Sequence, residues 1–398
     1  MTLNLKSLLS KKIKPMQSLT AYVSSVPNLE KELSVLINDT FSPTLAIVFA
    51  SPNHNATEIA SVFSKYKIQL FGCSSAGEIN NNAITEGGIS VLLMDVNKKY
   101  FAVKIFENVN GITKTAFDLA IHTKSVFDQP TLLVLSSGLT NDGEEIVQGL
   151  KTIIKDEFPI FGALAGDDLN MKETMIFSNN TQSNNGLIGL IFDNEKIELQ
   201  GLAESGWAAI GAEHTVTSAK GNILYEINNQ PALEVFTRYF GYFDNLNHTE
   251  NPISTMSAQY PLQVKRGEDY MVLRAPMSSN EENGSLNLVG AVHEGDKFHF
   301  SMAPGFEIVD ETVSKFKAWE QNQTEPDALI LFSCKGRHAA FGPMLDDEVS
   351  GIYQQWKKPM VGFLSYGEIG NLEGKSCDFH NETCCLITIK EKIVVENL

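Results

Sequence analysis

A turn with two glycines that ends in an acid occurs three times in this 398-residue chain, and it constrains the fold more than any other feature. Each copy has an apolar run and a glycine, three or four further residues, then a second glycine and a carboxylate: Gly72 to Glu78, Gly162 to Asp167, and Gly362 to Glu368. Paired glycines suit backbone with positive φ or a close approach of other chain segments. Each copy therefore predicts a buried strand that turns sharply and presents an acid at its end, where binding sites commonly lie.

The segments around each copy repeat as well. Apolar, β-branched strands are predicted at residues 44–49, 131–135 and 328–332, and a helical pattern follows each of them. The distance from strand to motif, roughly two dozen residues or a little more, accommodates one right-handed crossover helix. A strand after each motif is expected to pair antiparallel. The chain is therefore predicted to be an α/β protein, α+β in places, built from duplicated βαβ-type units with mixed sheets.

A β-rich segment separates the second unit from the third. Its predicted elements are strands at 204–211 and 216–227, the latter broken by a turn at 220–222, a helix at 231–239, and strands at 270–274, 286–293 and 297–302. The last two strands are expected to form a hairpin across Glu294 to Asp296, and residues 244–251 and 278–284 read as loops. We place an N-terminal domain at 18–200 and a C-terminal domain, which joins this segment to the third unit, at 201–395.

Composition narrows the class of partner. A formal charge of −17 argues against nucleic acid or an anionic membrane as the main partner. No apolar run reaches the roughly 18 residues of a membrane span, and the first residues lack the apolar core of a signal peptide. Five cysteines, an odd number spread over a long chain, favour reduced thiols over a disulfide framework. We expect a cytoplasmic protein without a resident cofactor.

These motifs together resemble the pair of FIST domains, N-terminal and C-terminal, of bacterial and archaeal signal-transduction proteins, and the resemblance covers nearly the whole chain. It is carried by residues 48–52, 72–78 and 161–168 in the first half, and by 206–207, 216–217, 231–232, 333–337, 362–370 and 379–381 in the second. One departure is Ala163, where two adjacent glycines would be expected.

The resemblance implies an intracellular sensory module that binds a small ligand, such as an amino acid, and signals to a partner protein such as a histidine kinase or a chemoreceptor component. This chain shows no such output domain, so its signal is expected to pass through another protein. A protein-interaction adaptor without a small ligand is an alternative.

A hydrolase or transferase is a further alternative, with Cys73, Ser74 or Ser75 as nucleophile. The first motif invites comparison with the Gly-x-Ser-x-Gly nucleophile elbow, but its spacing differs by one residue and a polar turn follows it instead of a helix. Hydrogen bonding by Ser74 and Ser75 at a strand end, or turn chemistry with no ligand at all, explains the motif without catalysis.

Charged residues at the strand ends give the candidate ligand site. Arg337 follows a buried strand in the same unit as Glu368, so both are expected at one sheet edge, where a guanidinium binds a carboxylate and an acid binds an ammonium. A salt bridge between these two residues is the alternative that needs no ligand. The candidate ligand-binding residues are Ser74, Ser75, Glu78, Asp167, Asp168, Arg274, Arg337, Tyr366, Glu368, His380 and Asn381.

Two groups of cysteine and histidine residues resemble metal sites, but we predict no metal site at either of them. Cys377, His380 and Cys384 have a zinc-like spacing, but neighbouring Cys384 and Cys385 lie in a strand pattern that sends them to opposite faces. Burial as small apolar side chains explains these cysteines better. His293 and His299 lack a third ligand, so no metal site is expected.

Overall fold

The computed structural model describes residues 15–392 except 156, 242–258, 268–269, 304, 306 and 372–376. It confirms an α/β architecture with mixed sheets, assembled from three copies of one unit and a β-rich insertion in the third. Within the described part of the chain, no helix is both long enough and apolar enough to cross a membrane.

The first two units follow each other directly and share one element order. The first contains β1 (Ser18–Val23), α1 (Val26–Leu36), β2 (Leu45–Ala50), α2 (Ala56–Lys65), β3 (Gln69–Ser74), β4 (Glu78–Asn80), β5 (Ala83–Thr85) and β6 (Ile89–Met94). The second contains β7 (Phe101–Glu107), α3 (Ile112–Val126), β8 (Pro130–Ser136), α4 (Gly143–Ile154), β9 (Ile160–Leu164), β10 (Ile176–Phe177), β11 (Gln182–Ser183) and β12 (Gly186–Asp193).

The third unit begins with β13 (Ile197–Glu204), which contains residues 200 and 201. The insertion follows as β14 (Ala208–Lys220), β15 (Ile223–Ile227), β16 (Gln230–Pro231), α5 (Ala232–Phe240), β17 (Leu262–Lys265), β18 (Met271–Arg274), β19 (Pro276–Asn280), β20 (Ser285–Leu288) and β21 (Lys297–Met302). The unit then resumes with α6 (Glu307–Glu320), β22 (Ala328–Cys334), α7 (Lys335–Phe341), α8 (Met344–Trp356), β23 (Met360–Ser365), β24 (Glu368–Asn371), β25 (Cys377–His380) and β26 (Cys384–Glu391).

Each unit forms four strands of a sheet around one parallel pair. In the first unit β2 and β3 are parallel, β6 pairs antiparallel with β2, and β1 lies outside β6. The second and third units repeat this order around the parallel pairs β8–β9 and β22–β23. The predicted crossover helices and closing antiparallel strands are therefore confirmed.

The hairpin after each motif leaves its own unit and completes a neighbouring sheet. Strand β4 of the first unit pairs with β23 of the third, β24 of the third with β9 of the second, and β10 of the second with β3 of the first. The three exchanges close a ring, so each of the three sheets built around a parallel pair contains strands from two units, whereas the strands of the insertion form a sheet of their own.

The three sheets face one shared core, and the helices cover their outer faces. Phe49, Phe332 and Phe363 meet there with ring centroids 4.7 to 5.9 Å apart. Aromatic contacts of this kind add about 0.5–1.5 kcal/mol beyond the burial of their area. The first glycine of each motif lies against the parallel strand: a Cβ on Gly362 would lie 1.8 Å from the carbonyl oxygen of Leu331. The first glycine of each motif is thus required by close backbone packing.

The β-rich insertion confirms the hairpin of β14 and β15 and the helix α5. The predicted hairpin of residues 286–293 with 297–302 is wrong, because β20 pairs with β15 and β19 whereas β21 pairs with β14 and β17. The predicted loop at 278–284 begins inside strand β19. The loop predicted at 244–251 lies outside the described residues.

Candidate functional site

The three motif turns meet at the carboxyl ends of the parallel strands and hydrogen-bond to one another. Ala76 N–H donates to the carbonyl of Leu364 over 3.0 Å, and Tyr366 N–H donates to the carbonyl of Leu164 over 3.0 Å. Gly166 N–H closes the ring by donating to the carbonyl of Ser74 over 3.2 Å. Strand exchange thus brings candidate site residues from all three units to one place.

Glu78, the acid of the first motif, is sealed inside the protein. Its carboxylate accepts from the Ser75 hydroxyl and from the Gly88 N–H, the latter over 2.9 Å. Burial raises the pKa of Glu78 to about 7, although both hydrogen bonds act to lower it. Because Ser75 and Glu78 satisfy each other, they stabilise the turn.

Glu368, the acid of the third motif, repeats this arrangement. One carboxylate oxygen accepts from the Ser365 hydroxyl and the other from the Thr383 hydroxyl, each over 2.5 Å. Burial raises the pKa of Glu368 to about 7, against the lowering effect of these two hydrogen bonds. Both oxygens are occupied by protein donors, so Glu368 is not available to a ligand in this conformation.

The second motif differs because Ala165 stands where the other copies have a serine. Its acid, Asp167, accepts instead from the Tyr366 hydroxyl over 2.6 Å and from the backbone N–H of Met171 over 3.2 Å. Asp167 therefore fixes the loop 167–173, which has positive φ at Asp168 (56°), Leu169 (58°) and Met171 (51°). Positive φ at non-glycine residues costs free energy and is concentrated at functional sites.

The structure places Arg337 differently from the expectation. The sequence pattern of residues 333–337 predicts a turn, but these residues are the end of β22 and the start of α7. The Arg337 guanidinium pairs with buried Glu348 of α8, not with Glu368. It also donates to the backbone carbonyls of Ser205 and Glu382, and it lies over the Trp207 ring at 5.4 Å. Arg337 therefore ties the third unit to the start of the insertion.

Arg274 has a similar role at the other side of the insertion. Its guanidinium is fully buried and donates to Glu144 over 2.9 Å and to the carbonyl of Phe379 over 3.2 Å. Neither guanidinium lines the cavity described next, and protein groups already surround both of them.

A cavity of about 320 Å³ opens at the carboxyl ends of β22 and β23, and we call it the third-motif cavity. Two predicted residues, Tyr366 and Asn381, line it, and most of its surface is apolar. Leu169 and Met171 of the strained loop are 55% and 59% exposed at its wall. The remaining lining residues are Gly138, Leu139, Ala275, Met277, Val289, Cys334, Lys335, Gly336, Ala339, Ser365 and Glu382.

Two acceptors on this wall are unusual because no described group satisfies them. Asn381 Oδ1 and Glu382 Oε2 are buried, Glu382 being only 3% exposed, and neither atom has a hydrogen-bond partner among the described residues. Burial raises the pKa of Glu382 well above its usual range, and nearby Glu368 raises it further. A buried carboxyl with an unpaired oxygen is costly unless a donor binds it. Sequence reasoning missed Glu382, since a single acid in Asn381-Glu382-Thr383 forms no pattern.

The other predicted residues lie elsewhere. Ser74 contributes to a separate cavity of about 260 Å³, and its hydroxyl donates to the Gly166 carbonyl over 2.7 Å. Asp168 accepts from the Ser51 hydroxyl over 2.9 Å beside that cavity. His380 is buried with its Nε2 3.1 Å from the Gly370 carbonyl oxygen, and burial lowers its pKa to about 4.

The nucleophiles considered from the sequence are enclosed. Cys73 is buried and burial raises the pKa of its thiol, so the reactive thiolate is disfavoured. The hydroxyls of Ser74 and Ser75 donate to Gly166 and Glu78, and no described histidine accepts from them. In the part of the chain that the structure describes, no three His, Cys, Asp or Glu side chains are grouped to hold a metal ion.

Comparison with known proteins gives two family matches. The FIST N domain model matches residues 44–230, and the FIST C domain model matches residues 232–371. No curated protein matches the chain. The two matched segments include all three motifs, whereas Asn381 and Glu382 lie beyond the second segment.

Proposed function

The chain belongs to the FIST family of sensory domains for signal transduction, and from this premise we propose that it senses a small ligand in the third-motif cavity. The observation that supports this proposal is that two residues lining a mostly apolar cavity, Asn381 and Glu382, have buried oxygens, Oδ1 and Oε2, without a hydrogen-bond partner among the described residues. A ligand with N–H donors would satisfy both acceptors and bury its apolar part against Leu139, Met171 and Met277.

The cavity wall suits an ammonium group better than an anion. Glu382 supplies a carboxylate once a cation displaces its proton, and Asn381 adds a neutral acceptor. Lys335, which also lines the cavity and pairs with Glu86 over 3.3 Å, offers a cation to a ligand carboxylate. An amino acid with an apolar side chain combines these features, with Lys335 in the role that the sequence analysis gave to Arg337.

The loop 167–173 provides a route from the ligand to a partner protein. Leu169 and Met171 touch the cavity, and the Tyr366 hydroxyl accepts from the Leu169 N–H over 2.9 Å. A ligand that moves Tyr366 therefore also releases or tightens a strained loop. We place the receiving partner among cytoplasmic signalling proteins such as a histidine kinase or a chemoreceptor component.

Thermal denaturation with a matched set of compounds tests the ligand class. We use leucine, the amine obtained by removing its carboxylate, and the acid obtained by removing its amine. Leucine and the amine are expected to raise the melting temperature, because a ligand at a hundred times its Kd adds about 2.7 kcal/mol to the free energy of unfolding. The acid alone is expected to have no effect.

A matched pair of variants locates the effect. Glu382→Gln is expected to abolish the stabilisation by the amine, whereas Glu325→Gln, at an exposed glutamate paired with Lys358, retains it. Stabilisation by the acid alone, or equal stabilisation of both variants, would contradict the proposal. A protein stabilised by neither leucine nor the amine would favour the adaptor without a small ligand.

A further inference from the structure

The β-rich insertion contains a cavity of its own, far in sequence from the three motifs. It has a volume of about 410 Å³ and is lined by His214 of β14, Ile227 of β15, and Val235, Arg238 and Tyr239 of α5, together with Asn228 and Gln230. We call it the His214 cavity. It lies within the size range of small-molecule sites, about 300–1,000 Å³.

The tautomer of His214 is fixed by a turn. Asn228 and its neighbour Asn229 both have positive φ, 52° and 62°, which corresponds to a type I′ turn between β15 and β16. The Asn228 side-chain oxygen accepts from the Thr215 N–H over 2.9 Å, so its amide nitrogen is the atom that faces His214 Nδ1 at 2.9 Å. Nδ1 is therefore the acceptor, and the proton of the neutral imidazole is on Nε2.

No described residue accepts a hydrogen bond from this Nε2–H donor. The donor is nevertheless buried, because the relative exposure of His214 is only 6%. Burial lowers the pKa of His214, which favours the neutral ring. The imidazole stacks on Phe298 with centroids 5.4 Å apart, which holds the unsatisfied donor in one orientation. A buried donor without a partner costs about 1–3 kcal/mol, which a bound acceptor would recover.

The rest of the cavity adds one cation and an apolar wall. The described hydrogen bonds of Arg238, to Glu234 and Gln230, both use Nη2, so Nε and Nη1 can bind another group. Tyr239 packs edge-on against the imidazole with ring centroids 5.2 Å apart and is 44% exposed, so its ring lies between the imidazole and solvent. The neutral His214 donor and the Arg238 cation, whose charge Glu234 partly neutralises, together suit a ligand with a single negative charge.

We propose that the His214 cavity is a second ligand site, for a small organic acid whose carboxylate accepts from His214 Nε2–H and Arg238 and whose apolar body packs on Ile227, Val235 and Tyr239. This site is independent of the third-motif cavity, which takes a cationic head. A carboxylate fits better than a phosphate dianion, because Glu234 already neutralises part of the Arg238 charge.

The test uses the intact chain and three probes that share one ring: benzoate, benzamide and benzylamine. Calorimetric titration is expected to detect binding of benzoate only. Long-range ¹H–¹⁵N NMR of ¹⁵N-histidine-labelled protein is expected to show that His214 is protonated on Nε2 and that its Nε2 signal moves as benzoate is added. Assignment comes from the His214→Phe variant, which lacks that signal.

Variants decide which groups hold the carboxylate. His214→Phe keeps the ring packing and is expected to weaken benzoate binding about tenfold to a hundredfold, the effect of losing one hydrogen bond to a charged group. Arg238→Gln, at an exposed position, is expected to weaken it as well, whereas His293→Phe, at an exposed histidine of the same insertion, leaves it unchanged. Absence of benzoate binding, equal binding of benzamide, or full binding by both His214→Phe and Arg238→Gln would overturn the proposal.

Discussion

Glu368 and Glu382 are both buried near the third motif, but their carboxyl oxygens differ in whether they accept hydrogen bonds. Glu368 accepts two hydroxyl hydrogen bonds, and nearby Arg337 is likewise paired with Glu348. Glu382, by contrast, lines the third-motif cavity, and its Oε2 has no hydrogen-bond partner in the described part of the chain. Buried polar groups that are all hydrogen-bonded stabilise one structure, whereas a buried polar group without a hydrogen-bond partner gains free energy when a ligand binds to it. The conspicuous motif is therefore part of the scaffold, and the inconspicuous acid beside it is the candidate for ligand binding.

The largest effect is expected from breaking the satisfied region at Arg337. Arg337→Met keeps the length of the side chain but leaves Glu348 buried without its cation, which typically costs about 3–5 kcal/mol. Chemical denaturation should show this loss. Lys315→Met is the control, because Lys315 pairs with Glu204 at the surface, where such pairs contribute about 0–1 kcal/mol. Equal effects of the two substitutions would remove the distinction between the two regions.

The next largest effect is expected in the pH dependence of the free energy of unfolding. The pKa values of Glu78 and Glu368 in the folded protein are about 7, above the usual value for a carboxyl group. At pH values between the unfolded and the folded pKa, the folded state therefore binds more protons than the unfolded state. Stability is therefore expected to fall as the pH rises from about 5 to about 7, by up to about 1.4 kcal/mol per pH unit for each group.

His380 acts in the opposite direction in part of this window. Its folded pKa of about 4 lies below the usual value, so its contribution increases with pH until the unfolded imidazole is neutral. The difference between wild type and the Glu78→Gln, Glu368→Gln double variant isolates the two acids. A double variant with the same pH slope as wild type would show that the two turns do not hold protons in this way.

The smallest effect on stability is expected at the unsatisfied acid. Glu382→Gln removes no protein hydrogen bond at Oε2, so the free energy of unfolding without ligand should change by less than about 1 kcal/mol. In wild type the affinity for the amine probe should increase with pH, since the raised pKa of Glu382 means that the cation must displace a proton. Calorimetry over a pH series measures this, and a large loss of stability in Glu382→Gln would place Glu382 in the scaffold instead.

The repeated unit was predictable because its signals are local. Gly362 is demanded by a carbonyl oxygen of the adjacent parallel strand, and the same requirement marks all three copies in the sequence. The start of the second unit was missed for equally local reasons. Strand β7 lies at a sheet edge with only Phe101 buried, and α3 begins after Gly111 without a side-chain cap, so neither shows a clear pattern.

The site was less predictable because its contacts are distant. A strand as short as β4 cannot specify β23 as its partner, and a helix start at Lys335 was read as a turn, which hid the pairing of Arg337 with Glu348. That Glu382 Oε2 and His214 Nε2 have no partner among the residues described leaves no mark in the sequence. It becomes visible only when every neighbouring group is known.

The ring of exchanged hairpins also affects how the chain folds during synthesis. Asn80 pairs with Val361, which is made 281 residues later (361 − 80), so the first unit finishes long before the sheet that receives its hairpin exists. At about 5–20 residues per second, that hairpin waits on the order of 15–55 s with its edge exposed. Such unpaired edges invite pairing with other chains. The β4–β5 hairpin is therefore open to pairing with another chain until β23 has been made.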